Sequence, residues 1–174
     1  MISGPLPTEP PDIGGLLRSL VEAGVDFVLV GGQAGIAHGA NYPSYDVDVA
    51  YARGHANALS LVACLERLDV RFRGAPADLP FQLDARAIEN GANFTFVTPL
   101  GDLDVLADIA GISSYDDLCA AAQVMEIGGV RVPVASIDHL IAMKRAANRP
   151  KDQLMLEEYI VIAEEQRRVE DGGG

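Results

Sequence analysis

Residues 25–51, VDFVLVGGQAGIAHGANYPSYDVDVAY, constrain the fold more than any other stretch. The apolar run Val25–Val30 has the length of a short buried strand. It stops at Gly31-Gly32, and the small residues Gln33–Ala40 predict a short helix. Tyr45-Asp46-Val47-Asp48-Val49 then alternates as a strand does. Side chains on a strand alternate faces, so Asp46 and Asp48 point the same way, about 6–7 Å apart at ~3.3 Å per residue. Like charges on one face repel, which suits a site with a divalent cation between them. A plain solvated face is the competing explanation.

The glycine turn adds chemistry. A helix N-terminus presents free N–H groups and the positive end of a dipole, so it suits a phosphate. Glycine lets the backbone come close. A dinucleotide-binding reading does not fit, because the glycines lack the G-x-G-x-x-G spacing and no acid stands at Tyr51–Arg53. A phosphatase-type Asp-x-Asp nucleophile would need an apolar lead-in strand, and here the lead-in is Asn41-Tyr42-Pro43-Ser44-Tyr45.

Further elements follow in order. Leu16, Leu17, Leu20 and Val21 mark a helix closed by Gly24. Residues 56–68 predict an amphipathic helix with Leu59, Val62, Ala63 and Leu65 on its apolar side, and Val70–Phe72 a short strand. Residues 84–89 predict a helical turn. Asn93–Thr98 and Asp102–Ile109 both alternate around Pro99-Leu100-Gly101 and predict a hairpin. On the second of these strands Asp102, Asp104 and Asp108 share a face. If it pairs beside Asp46–Val49, three carboxylates converge; two could hold Mg²⁺ and the third could take a proton from an attacking hydroxyl.

Tyr115–Ala122 predicts a short helix, and Val124–Ile127 with Val130–Val134 a hairpin around Gly128-Gly129. Ser136 is an N-cap for a helix over 137–147, which Asn148-Arg149-Pro150 breaks before a last helix over 151–168. Residues 1–11, with four prolines, and 169–174 predict flexible tails around one domain over 12–168.

The net charge of −12 argues against general nucleic-acid binding, where phosphate contacts dominate affinity. Cys64 and Cys119 stand in apolar helical contexts, predicting buried thiols rather than zinc ligands. His38, His55 and His139 show no metal or triad spacing. The sequence has no apolar run near the ~20 residues of a membrane span and no signal-peptide pattern, which predicts a cytoplasmic protein.

Together these residues resemble the nucleotidyltransferase superfamily of the polymerase-beta type. Its pattern is an apolar strand, G-[GS], a gap, h-[DE]-h-[DE]-h and a later h-[DE]-h. Gly31-Gly32, a gap over 33–45, Asp46 with Asp48, and Leu103-Asp104-Val105 match it. Residues 141–152, IAMKRAANRPKD, resemble the K-x-x-A-x-x-R-x-x-D segment of the AbiEii-like branch, which includes toxins of toxin–antitoxin systems. The resemblance implies an α/β (α+β) nucleotidyltransferase fold, a mixed sheet flanked by helices with a C-terminal helical pair. It implies transfer of a nucleoside monophosphate from an NTP to an acceptor hydroxyl with two Mg²⁺. The acceptor would be a tRNA or other RNA 3′ end, a protein or a small molecule, and an antitoxin partner is implied for the toxin branch. Asp46, Asp48 and Asp104 would be catalytic metal ligands, Asp104 being the third ligand or the base. Gly31, Gly32, Ser44, Lys144, Arg149, Lys151 and Asp152 would bind the nucleotide. No arginine lies between Gly32 and Asp46, and Gly32 lacks the hydroxyl of a serine there. Those losses, with the short chain, keep open a non-catalytic nucleotide-sensing or partner-binding module.

Overall fold

The computed structural model describes residues 9–173. The elements in chain order are α1 (Ile13–Glu22), β1 (Phe27–Val30), α2 (Gly31–Ala37), β2 (Asp46–Tyr51), α3 (His55–Arg67), β3 (Arg71–Phe72) and α4 (Ala85–Glu89). Then follow β4 (Phe94–Thr98), β5 (Gly101–Leu106), α5 (Tyr115–Ala121), β6 (Gln123–Ile127), β7 (Val130–Val134), α6 (Ile137–Ala147) and α7 (Pro150–Gly172). The strands form one seven-stranded mixed sheet in the order β3-β4-β5-β2-β1-β7-β6. β2 runs antiparallel to β1 and parallel to β5. The mixed sheet with flanking helices is the expected fold class.

One face of the sheet makes the core. Val47, Val49, Leu103, Val105 and Phe96 are fully buried there, as are Leu16, Leu17 and Leu20 of α1 and Leu61 and Leu65 of α3. At ~25 cal/mol per Å² of apolar surface, each such leucine contributes about 2 kcal/mol. The odd-numbered positions of β2 and β5 are therefore committed to the core, and the even-numbered acids must face the other way.

Local chemistry sets the ends of the elements. Asp12 caps α1 by accepting from the Gly15 N–H at 2.8 Å, and Ser114 and Ser136 cap α5 and α6 in the same way. The Gly128-Gly129 hairpin forms as expected, with β6 and β7 antiparallel. Several expectations need correction. α2 begins at Gly31, so both glycines lie in its first turn. β5 ends at Leu106, because the chain turns away after it, and Asp108 is off the strand. Leu59 is exposed, since α3 buries the face of Ala58, Leu61 and Leu65. Cys119 is exposed, because α5 buries only Leu118. α7 continues through residues 169–172, where a tail was expected. Of the expected N-terminal tail, residues 1–8 lie outside the described residues; Asp12, just beyond it, donates its N–H to the Leu100 carbonyl at 2.7 Å.

Candidate active site

Strand register builds the carboxylate cluster. Asp48 stands opposite Asp104, and Asp46 opposite Asp102, across the parallel β2–β5 pair. Asp48 also stands opposite Val30, the last residue of β1 before Gly31. Neighbouring strands lie about 4.8 Å apart, so the cluster and the glycine turn occupy one small area.

Gly31 shows how tight that area is. Its φ is +71°, a left-handed value that favours glycine. A Cβ there would lie 2.1 Å from a carboxylate oxygen of Asp48. Gly32, at an ordinary φ, is also closely approached: a Cβ there would meet the Cβ and Oγ of Ser44 at 2.6 Å. The Ser44 hydroxyl thus stands beside the first turn of α2, in the space a serine at 32 would need. Gln33 fixes that segment by donating to the Ser44 carbonyl at 2.8 Å.

The electrostatics follow from crowding. Burial first, then Asp104 and Asp46, push the Asp48 carboxyl up to about 7, while Lys144 pulls it back. Burial and the charge of Asp102 also raise Asp46, and Arg73 and Lys151 oppose that. These residues fit an oxygen-ligated cation such as Mg²⁺. The donors are hard carboxylates, and the close Asp48–Asp104 pair carries repulsion that a cation would relieve. Among the described residues, no three His, Cys, Asp or Glu side chains are already gathered to hold an ion. A Mg²⁺ ion commonly takes one or two carboxylates and completes its shell with water and substrate phosphate.

Basic groups approach from α6 and α7. Lys144 and Arg149 line a cavity of about 180 Å³ with Gly31, Leu140, Met143 and Tyr159. Asp152, expected in the cleft, is fully buried and stands behind these two bases. Its carboxylate accepts from Lys144 Nζ at 3.0 Å, Arg149 Nε at 2.6 Å and the Arg149 backbone N–H at 3.2 Å. Burial alone would raise Asp152, but the hydrogen bonds from Arg149 and Lys144 hold it well below the usual carboxylate range. It thereby holds the Lys144 and Arg149 side chains and caps α7. Lys151 is exposed and reaches the cluster through its charge on Asp46.

Sequence reasoning missed Arg73. Its Nη2 donates to Asp104 Oδ1 at 2.8 Å, and its Nε lies 3.5 Å from Asp102 Oδ2. The alternation Arg71-Phe72-Arg73 signals a strand with two basic residues on one face, but nothing local places that strand beside the acids. A second, larger cavity of about 470 Å³ adjoins the site. It is lined by Ala50, two residues beyond Asp48 on β2, and by Arg53, Asp108, Ser113 and Tyr115; Ile109 and Ala110 border both cavities.

No family model matches this chain, and no curated protein does. Solved structures do share its fold. A lincosamide antibiotic adenylyltransferase, LnuA, solved with lincomycin bound, is 11% identical with a TM-score of 0.59, over 87% of this chain and 96% of that one. ANT(2″)-Ia in complex with adenylyl-2″-tobramycin is 17% identical with a TM-score of 0.57, over 91% and 90%. A candidate nucleotidyltransferase from Thermotoga maritima is 14% identical with a TM-score of 0.54, over 85% and 89%.

Proposed function

We propose, starting from a fold that is that of the nucleotidyltransferases, that this chain moves a nucleoside monophosphate from an NTP to an acceptor hydroxyl. The observation that carries it is the Asp48–Asp104 register pair set against the N-terminal turn of α2. A carboxylate pair, a glycine-opened helix end and two aimed basic side chains are what phosphoryl-group chemistry needs: positioning and charge neutralisation.

Asp46 and Asp48, with Asp104, are the residues that would hold Mg²⁺. When bound, the ion supplies Lewis-acid polarisation of the phosphate and neutralises its charge. The free N–H groups of Gly31 and Gly32 face the β- and γ-phosphates. Lys144 and Arg149 neutralise the departing pyrophosphate, Lys144 as a point charge and Arg149 as a fork. The acceptor oxygen bonds to the α-phosphorus as the bond from that phosphorus to the β-bridging oxygen breaks. Asp104 takes the acceptor's proton. The cavity of about 470 Å³ beside Ala50 falls within the range of small-molecule sites, roughly 300–1,000 Å³. That volume and the charge of −12 favour a small-molecule acceptor over an RNA end.

The test is transfer from an NTP labelled at the α-phosphate, with Mg²⁺, into the RNA, protein and small-molecule fractions of a cell extract. Label should enter the small-molecule fraction and fall by about a hundredfold or more in Asp48→Asn. Label in RNA or protein would keep the reaction and replace the acceptor. A second reading, nucleotide sensing without transfer, draws on Arg73 holding Asp104. It predicts thermal stabilisation by an NTP with no label transferred; at a hundred times Kd, that stabilisation is about 2.7 kcal/mol.

A further inference from the structure

Arg73 lies in a row that crosses the sheet. Its backbone N–H donates to the Thr95 carbonyl at 3.0 Å, continuing the β3–β4 ladder by one residue. Thr95 stands opposite Asp104, and Asp104 opposite Asp48. Residues paired across strands share a face, so the Arg73 side chain runs over β4 toward the acids. It ends two-thirds covered, with Nη2 donating to the Phe96 carbonyl at 3.3 Å and to Asp104 at 2.8 Å.

That contact takes an oxygen of the residue assigned as third ligand or base. A guanidinium keeps its proton at any working pH, so it frees the oxygen only by moving. A place to move to is at hand, since Asp102 lies 3.5 Å from Nε on the same strand. We propose that Arg73 is a positioning residue that competes with a divalent cation for Asp104, and yields it by shifting onto Asp102. The proposal rests on the nucleotidyltransferase reading of the carboxylates. Competition of this kind keeps Asp48 and Asp104 from binding a cation tightly on their own. It leaves cation binding dependent on the extra oxygens that a nucleotide's phosphates bring.

The experiment is a Mn²⁺ titration without nucleotide, read by the spin-resonance signal of free Mn²⁺. It uses the whole chain as parent, Arg73→Gln, Asp104→Asn and the double variant. Arg73→Gln should bind Mn²⁺ about tenfold more tightly, the low end for release of a charge-assisted hydrogen bond. In the Asp104→Asn background the same change should alter affinity by less than about twofold, because the contested carboxylate, with its negative charge, is gone. Equal affinity in parent and Arg73→Gln would overturn the proposal. So would a gain of equal size in the Asp104→Asn background, which would mark a general field of one positive charge. Arg73→Lys, which keeps the charge and loses the fork, should fall between parent and Arg73→Gln, and covers the case of a glutamine variant that does not fold. If neither the parent nor Arg73→Gln binds Mn²⁺ even with an NTP present, the nucleotidyltransferase reading itself fails, and the proposal with it.

Discussion

Asp48 carries opposed demands in one side chain. It is pushed up to about 7 by burial and by Asp104 and Asp46. An acid whose folded value lies above its unfolded value near 3.9 weakens the fold once it ionises. Stability linked to it is therefore fully present below about pH 4 and is lost as pH rises toward and through 7. Asp48→Asn should gain on the order of 2 kcal/mol over the parent at about pH 8 and almost nothing at about pH 4 in urea unfolding with chelator present. An equal gain at both pH values would show that packing, not charge, governs the position. The acids themselves were legible because a two-residue spacing on a strand fixes their common face. Arg73 was not, because its partner is 31 residues away and across an intervening strand. Asp152 was expected in the cleft and stands behind it, since a sequence does not show that a carboxylate is fully buried.

The α6–α7 corner is where elements determine the site. Asn148 adopts a left-handed conformation with φ +49°, and Pro150 opens α7 at a position where its missing N–H costs nothing. Asp152 ties both sides of this corner to one carboxylate. Asp152→Ala should cost about 3–5 kcal/mol in unfolding experiments, because the half-buried Lys144 loses its counter-charge. It should also reduce the NTP-induced shift in melting temperature, although Asp152 is too deep to touch a ligand. A full NTP shift in this variant would show that Lys144 and Arg149 need no aiming. The break at Asn148-Arg149-Pro150 was readable, since proline restricts the residue before it. The reach of α7 through residues 169–172 was not, because glycine and acid in that stretch read as a frayed end. Leu59 and Cys119 were misplaced for a related reason. Helical spacing names a set of apolar residues, but only the packed partners decide which part of the set is covered.

The whole molecule carries a charge of −12, and its proposed donor substrate is also an anion. Excess charge of one sign destabilises a compact state by self-repulsion, and salt screens it. The melting temperature should therefore rise between about 20 mM and about 300 mM KCl, as the Debye length falls from roughly 20 Å to under 10 Å. A falling melting temperature would mean that local pairs such as Lys144–Asp152 outweigh the net repulsion. Among the described residues, no helix is long and apolar enough to cross a membrane.

The pairing of β2 with β5 also says where such a chain is free to change over generations. A one-residue slip in either strand would turn every acid into the core and every core valine outward. Insertions and deletions inside residues 46–51 or 101–106 are thus barred. Between those strands lie α3 and β4, which hold core residues and a register of their own, and the irregular segment 74–84 between β3 and α4, whose length sets no register. Descendants of this chain would lengthen, shorten or rewrite that segment, next to Arg73, and so alter how tightly Asp104 is held without disturbing the acids themselves.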